Sequence, residues 1–182
     1  MNQHYSIRLL TPRDLPAYKA LRDAALHDFP EAFTSDFETE QHRSPESYAS
    51  RVSELGKHGN QLWGAFSANG QLLGCIGLDV ERRLQQRHIG TVISMMVVRS
   101  AQGQGIATKL IAACAEYAGA SGQFDQLILT VTAASSHVVR LYERAGFASY
   151  GLLPRAICVE GKFHDKLLMR LDVAALRDNH AL

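Results

Sequence analysis

The sequence is short of several things that would point quickly to a function. Only three of its 182 residues are cysteine. Cys75, Cys114 and Cys158 each sit among apolar neighbours and none forms a CxxC pair, which argues against a disulfide framework or a thiolate metal centre and reads as small, reduced core residues. Net charge is also scarce. Nineteen Lys and Arg face eighteen Asp and Glu, for a formal charge of +1, so no overall field draws the chain to nucleic acid or to an anionic membrane. Long apolar runs are missing too. The stretch "MNQHYSIRLLTPRD" meets Arg8 and Asp14 before any such run, and no window is long enough for a transmembrane helix. The expectation is a cytoplasmic protein with neither a nucleic-acid nor a membrane partner. The histidines, His4, His27, His42, His58, His88, His137, His164 and His180, are scattered with no HxxxH spacing, so no metal is expected. There is no internal repeat and no low-complexity tract.

What is present reads as one α/β unit, because the length supports one substantial core and not two typical domains. "SIRLL" is consistent with an edge strand, and Thr11 and Pro12 can open a helix. Leu15, Tyr18, Leu21 and Ala25 then recur at helical spacing. The acidic and aromatic stretch from His27 to Ser44 reads as an irregular connection with at most one helical turn, before a second helix starting at Pro45. "SANG" separates two apolar strands, with Asn69 and Gly70 tolerant of positive φ. "IGTVISMMVV" is the clearest strand, continuous enough to predict burial on both faces. A helix follows from about Gly103 to Gly119 with Ile106, Leu110, Ile111 and Cys114 inward. "FDQLILTVT" is a strand and "SSHVVRLYERAG" an amphipathic helix that Gly146 ends. "FASYGLL" and "HDKLLMRLDV" predict closing strands separated by a loop around "PRAICVEGKF".

The stretch "SAQGQGIATKL" raises the chemical question. Gly103 and Gly105 stand one residue apart between a buried strand and a helix, where absent side chains allow tight turning and close approach by a ligand. Amides at a helix start, together with its positive end, suit a pyrophosphate. Two familiar phosphate loops do not fit. The Walker pattern needs Lys followed by Ser or Thr at the end of GxxxxGK, whereas Lys109 is followed by Leu110. The dinucleotide fingerprint needs a third glycine where this chain has Thr108.

Gln102, Gly105 and Ala107 form Gln-x-x-Gly-x-Ala directly after "VISMMVV". This resembles the acetyl-coenzyme A motif of the GCN5-related N-acetyltransferase (GNAT) superfamily. "LILTVTAASSHVVRLYERAGF" resembles that family's second region of strand, loop and helix, and the resemblance runs in order from about Leu72 to Phe147. It implies an α/β single-domain fold, with a mixed, mostly antiparallel twisted sheet whose central parallel strands splay apart, flanked by helices. The whole of 1–182 is then one N-acetyltransferase domain: 1–60 an N-terminal strand and acceptor-side helices, 61–147 a cofactor-binding core, 148–182 closing strands. The implied co-substrate is acetyl-CoA. Residues 102–108, namely Gln102, Gly103, Gln104, Gly105, Ile106, Ala107 and Thr108, would surround its pyrophosphate, while Met96, Val97 and Val98 would pair with its pantetheine arm. Ser135 stands where the family commonly has Asn, a shorter reach towards the same arm, and Gln102 stands where Arg is common.

By the same resemblance, Tyr142 is a general acid beside the departing sulfur. A thiol pKa of about 8.5 makes the thiolate a tolerable leaving group, so a tyrosine there need supply only a proton or a strong hydrogen bond; the competing reading is a buried tyrosine with a satisfied hydroxyl. The base stays open. Asp79 and Glu81 could contact a relay water or simply be hydrated, and His88 is either a neutral base or a surface histidine. Glu31, Asp36, Glu38 and Glu40 could line an acceptor cleft. No cysteine has the histidine arrangement of an acyl-enzyme nucleophile, so direct transfer in a ternary complex is expected. The implied function is acetyl transfer from acetyl-CoA to a primary amine of a small molecule or peptide, with a non-catalytic acyl-CoA binding or sensing module as the alternative. Bulky Met95 and Met96 suggest a small acyl chamber. The late strands could support a homodimer, as in many resembling proteins.

Overall fold

The computed structural model describes residues 4–52 and 60–174. His58, His180 and the last residues of the 148–182 segment lie outside that range. The described residues form a seven-stranded sheet from β1 (Tyr5–Leu9), β2 (Gln61–Ser67), β3 (Leu72–Val80), β4 (Ile89–Val97), β5 (Gln126–Thr132), β6 (Ala148–Val159) and β7 (Lys162–Asp172). The spatial order is β1-β2-β3-β4-β5-β7-β6. Every neighbouring pair is antiparallel except β4 and β5. Four α-helices flank it: α1 (Leu15–Asp28), the single turn α2 (Phe37–Glu40), α3 (Ile106–Ser121) and α4 (Ser136–Arg144).

Alternation along the strands sends apolar side chains to both faces, and each face has its own core. On one, Leu110, Ile111, Cys114 and Ala118 of α3 pack with Ile76, Leu78, Leu127, Leu129 and Met169. On the other, Leu15, Tyr18 and Leu21 of α1 pack with Leu62, Phe66, Leu72, Cys75 and Met96. The helical stripes legible in the sequence are therefore the two layers that clamp the sheet.

One pairing organises the rest. β4 and β5 match only at Ile89–Gln126, Gly90–Leu127 and Thr91–Ile128, after which the strands separate. β4 is also bulged: Gly77 faces Ile93 and Cys75 faces Met96, so Ser94 and Met95 together oppose Ile76, and Ser94 takes φ +53°. An extra residue of this kind bends a strand and increases its twist, which turns β4 away from β5. The burial on both faces expected for "IGTVISMMVV" is correspondingly incomplete. Val92 and Met96 are buried but Ile93, Met95 and Val97 are only half-buried, because the unpaired stretch has no strand beside it.

Two other expectations change. Pro45–Arg51 is a 3₁₀ helix, not an α-helix. The loop predicted around "PRAICVEGKF" is mostly strand: β6 runs to Val159 and turns at Glu160 and Gly161. Pro154 is tolerated because β6 is the sheet edge, where no partner needs its missing amide proton, and irregularities between Ser149 and Gly151 and between Leu153 and Ile157 absorb the local mismatch.

The segment after α1 is held by buried charge. The Glu40 carboxylate, with 7% of its side chain exposed, accepts from Arg22 Nε at 2.9 Å, Tyr48 OH at 2.6 Å and Arg43 at 3.0 Å. Burial disfavours the charge, but these donors outweigh it and lower the Glu40 pKa to about 2. Glu40 is thus structural, not a wall of an acceptor cleft. Because its pKa is lowered in the fold, its contribution is fully present above the unfolded carboxylate value of about 4.3 and is lost as pH falls towards 2. Glu40→Gln should cost on the order of 2–4 kcal/mol at pH 7 in urea unfolding, with the gap from the unmutated protein narrowing as pH falls to 3. A gap unchanged across that range would show that Glu40 is not ionised in the fold.

Candidate active site

Where β4 ends, the chain makes a 3₁₀ turn, Arg99–Ala101, and enters α3 through Gly103 and Gly105, both at φ +77°. A Cβ on Gly103 would meet nothing within 4 Å, and one on Gly105 only the Tyr5 hydroxyl at 3.8 Å. Glycine is needed here for its backbone conformation, not for space. The turn points a row of donors outward. Among the described residues nothing accepts from the amides of Gly103, Gln104 or Gly105. Ile106, Ala107 and Thr108 begin α3, where amides have no intrahelical acceptor, and no side chain caps that end. The helix adds roughly half a positive charge at the same place. The side chains of the two glutamines fold back on the turn, Gln102 Nε2 onto Val97 O at 3.3 Å and Gln104 Nε2 onto Ser100 O at 3.3 Å.

Of the three strand residues expected to face a pantetheine arm, the register favours one. Val98 donates its amide to Leu73 O at 2.8 Å, which points it at β3. Main-chain groups alternate along a strand, so Val97 faces the open side and Met96, opposite Cys75, faces β3 again. Met96 contributes its side chain to the α1-side core.

The second lip of the opening is β5, which ends at Thr132 and passes through Ser135 into α4. Ser135 is half-buried at the start of α4, and its hydroxyl makes no capping bond. Tyr142 is buried, its ring edge-on to Phe147 with centroids 5.5 Å apart. Among the described residues its hydroxyl has no hydrogen-bond partner. Burial raises its pKa, with a smaller contribution from Cys114, so the phenol keeps its proton at neutral pH. The satisfied hydroxyl of an ordinary core tyrosine is not what this residue has.

The candidate bases separate. The Glu81 carboxylate is bound to Arg83 at 2.6 Å and to the amides of Arg82 and Arg83; the Arg83 hydrogen bond chiefly lowers its pKa, to about 2. His88 precedes β4 at the paired end of the fork, nine residues from Val97 and so about 30 Å away along extended chain. Asp79 lies opposite Thr91, where the fork begins, and is in no ion pair among the described residues. The loop acids also divide: Asp36 caps α2 by accepting from Thr39 N at 2.7 Å, and Glu40 is buried as described. Burial raises the Cys75 thiol pKa and pushes that of Cys114 up to about 12, so neither is a thiolate nucleophile. Among the described residues no three His, Cys, Asp or Glu side chains stand together as a metal site.

Sequence reasoning missed a polar cluster at the bulge. Ser94 Oγ lies 3.2 Å from Tyr18 OH and accepts from Arg51 at 3.0 Å, while its carbonyl accepts from Cys75 Sγ at 3.2 Å. A lone serine in "TVISMMVV" was the available signal.

Residues 18–147, well over half of the chain, match the Acetyltransferase (GNAT) family. The chain belongs to this family. Among solved structures, a GNAT acetyltransferase from Streptococcus pneumoniae is 26% identical, with a TM-score of 0.78 and coverage of 92% of this chain and 98% of that one. A ribosomal-protein-alanine N-acetyltransferase from Brucella melitensis (24% identity, TM-score 0.80, coverage 92% and 99%) shares the fold. So does a putative acetyltransferase from Salmonella typhimurium solved with acetyl-CoA (17% identity, TM-score 0.82, coverage 93% and 94%). No curated protein matches. The seven-stranded mixed sheet with its helical layers is thus a GNAT fold, and the family makes the chain an acetyltransferase that uses acetyl-CoA.

If the two turn glycines are present for their φ, Gly103→Ala and Gly105→Ala should each lower stability by about 1–2 kcal/mol. Gly119→Ala, inside α3 with nothing within 4 Å of the added carbon, should raise it by about 0.5–1 kcal/mol. Thermal unfolding of the three variants reads the signs; equal effects would remove the conformational argument.

Proposed function

We propose that this GNAT chain moves the acetyl group of acetyl-CoA directly to a primary amine of a small molecule or peptide. The observation that carries the reading is the row of amides from Gly103 to Thr108 that no described residue accepts from, at the wide end of a fork whose other lip leads to Tyr142, whose hydroxyl has no partner among the described residues. These groups fit acetyl-CoA in kind: main-chain donors and a helix start for a pyrophosphate, the Val97 edge for an amide-bearing arm, Ser135 for a further polar contact. When bound, acetyl-CoA supplies an activated acyl group on a thiol that leaves readily.

Tyr142 acts on that leaving group. Its raised pKa makes complete proton transfer to a thiolate of pKa about 8.5 uphill, by about 1.4 kcal/mol for each unit of difference. Its role is therefore a strong hydrogen bond to sulfur as charge develops, with the proton passing late. With the Cys75 and Cys114 thiols held neutral by burial, neither serves as an acyl-enzyme nucleophile, which favours direct attack by the amine. Asp79, at the base of the fork, is the carboxylate best placed to accept a proton through water. The segment preceding β2 would form the acceptor side, residues 61–147 the cofactor core and the final strands the closing wall.

Calorimetric titration with acetyl-CoA should show saturable binding, and loss of binding with the fold intact would end this reading. Tyr142→Phe should leave acetyl-CoA affinity within about twofold and stability within about 0.5 kcal/mol, because no protein hydrogen bond is lost, while lowering kcat about a hundredfold or more. A kcat unchanged with a turned-over amine would remove Tyr142 from the chemistry.

A further inference from the structure

The open end of the fork is bridged. The residues leaving α1 contact both lips. On the β4 side, Arg99 Nε lies 3.5 Å from Asp28 Oδ2 and its guanidinium stands 5.3 Å from the centre of the Phe29 ring. On the β5 side, Thr132 Oγ1 donates to Glu31 O at 2.7 Å. Lys166, opposite Thr132 on β7, donates to Ala32 O at 2.8 Å, Glu31 O at 3.3 Å and Thr132 Oγ1 at 3.0 Å. The span is compact, with Pro30–Ala32 in a 3₁₀ turn, so it reaches the β4 side through the Asp28 and Phe29 side chains and the β5 side through the Glu31 and Ala32 carbonyls.

The bonding pattern explains why a lysine is here. Pro30–Ala32 is a 3₁₀ turn in which Ala32 N donates to Phe29 O and Phe33 N to Pro30 O. Its last carbonyls, of Glu31 and Ala32, have no amide of the turn to accept from. An ammonium group offers three donors, and here all three go to neutral oxygens. Lys166 is 4% exposed and Thr132 3%, and burying a cation without a carboxylate on it is costly. Burial lowers its pKa, opposed by the nearby Glu31 charge. A side chain kept at that cost is holding something in place.

We propose that Lys166, acting with Thr132, is a positioning residue that pins Phe29–Phe33 as a strap across the open end of the β4/β5 fork, so that water and acceptor reach the thioester only by the path the strap leaves. The proposal rests on the acetyl-transfer reading above. Excluding water protects an activated acyl group from hydrolysis, so a loosened strap should show as wasted acetyl-CoA even with no acceptor present.

The test uses the full chain and acetyl-CoA alone. Thr132→Val removes one hydroxyl at nearly constant volume, Thr132→Ser restores it, and Lys166→Met removes the ammonium and keeps the aliphatic stem. Hydrogen exchange at the amides of Ala32 and Phe33 should rise up to about tenfold in Thr132→Val and Lys166→Met. Acceptor-free release of CoA should rise several-fold, with acetyl-CoA affinity within about twofold, and Thr132→Ser should return both readouts towards the starting values. Should Lys166→Met fail to fold, the valine and serine pair decides alone. Unchanged exchange or unchanged release in Thr132→Val overturns the strap, as does faster exchange spread evenly over all seven strands. Failure of the unmutated protein to bind acetyl-CoA would overturn the transfer reading instead, while exchange at Ala32 and Phe33 would still decide whether Lys166 and Thr132 pin the strap.

Discussion

The structure depends on a ladder that stops. Among the described residues β4 and β5 are the only parallel neighbours in the sheet, and they share three residue pairs before they part. A sheet interior that abandons its ladder leaves main-chain donors and acceptors without partners, and each costs about as much as a lost hydrogen bond if it stays dry. The fork survives because its exposed groups find other uses. Val97 O takes the Gln102 side chain, the bulge at Ser94 is tied by hydroxyl and guanidinium groups, and β5 is fully paired on its other side from Gln126 to Thr132. The two helical layers, α1 and α3, pack on opposite faces of β3 and β4. The glycine turn into α3 follows one lip of the fork and the start of α4 follows the other.

The bulge and the turn are two versions of one device. In each, a residue at positive φ breaks the regular run of main-chain directions: Ser94 within β4, Gly103 and Gly105 beyond it. A serine in that region costs more than a glycine, on the order of 1–2 kcal/mol, and persists only where its surroundings fix it. Tyr18 from α1 and Arg51 from the 3₁₀ helix supply that fixing, so these two elements set the shape of a strand that the turn through Gly103 and Gly105 extends.

The glycine turn into α3 was legible because its determinants lie within a few residues of one another: Gln102, Gly103 and Gly105 carry both the backbone conformation and the family motif. The stripes of α1 and α3 were legible for the same local reason. Ser94 was not, because its conformation follows from a one-residue mismatch with β3 that exists only once the strands pair. Lys166 was not either. In "HDKLLM" it reads as an outward charge on an alternating strand, and it is buried because the carbonyls it serves arrive from a loop 134 residues earlier. Glu40 misled in the opposite way, an acid on a polar loop whose partners come from α1 and from Tyr48. Pro154 read as a loop because the edge position that excuses it is a property of the sheet, not of the local sequence.

Among the described residues, the site's uncommitted groups are donors gathered at the wide end: the turn amides, the Ser135 hydroxyl and the Tyr142 phenol. At the narrow end Glu81 is spent on Arg83, leaving Asp79. On the proposed reaction this is an asymmetric design, well supplied for anion binding and for a departing thiolate and thinly supplied for taking a proton from an ammonium ion. Carboxylates are weak bases beside amines, so the burden falls on the acceptor's own equilibrium. An alkylamine of pKa about 10.4 is neutral to less than about one part in a thousand at pH 7, whereas an α-amine of pKa about 7.8 is neutral to roughly one part in seven. That ratio, a few hundredfold in the reactive form, exceeds what one extra methylene contact discriminates. On the proposed reaction, a site with so few basic groups among its described residues would favour amines that arrive already neutral.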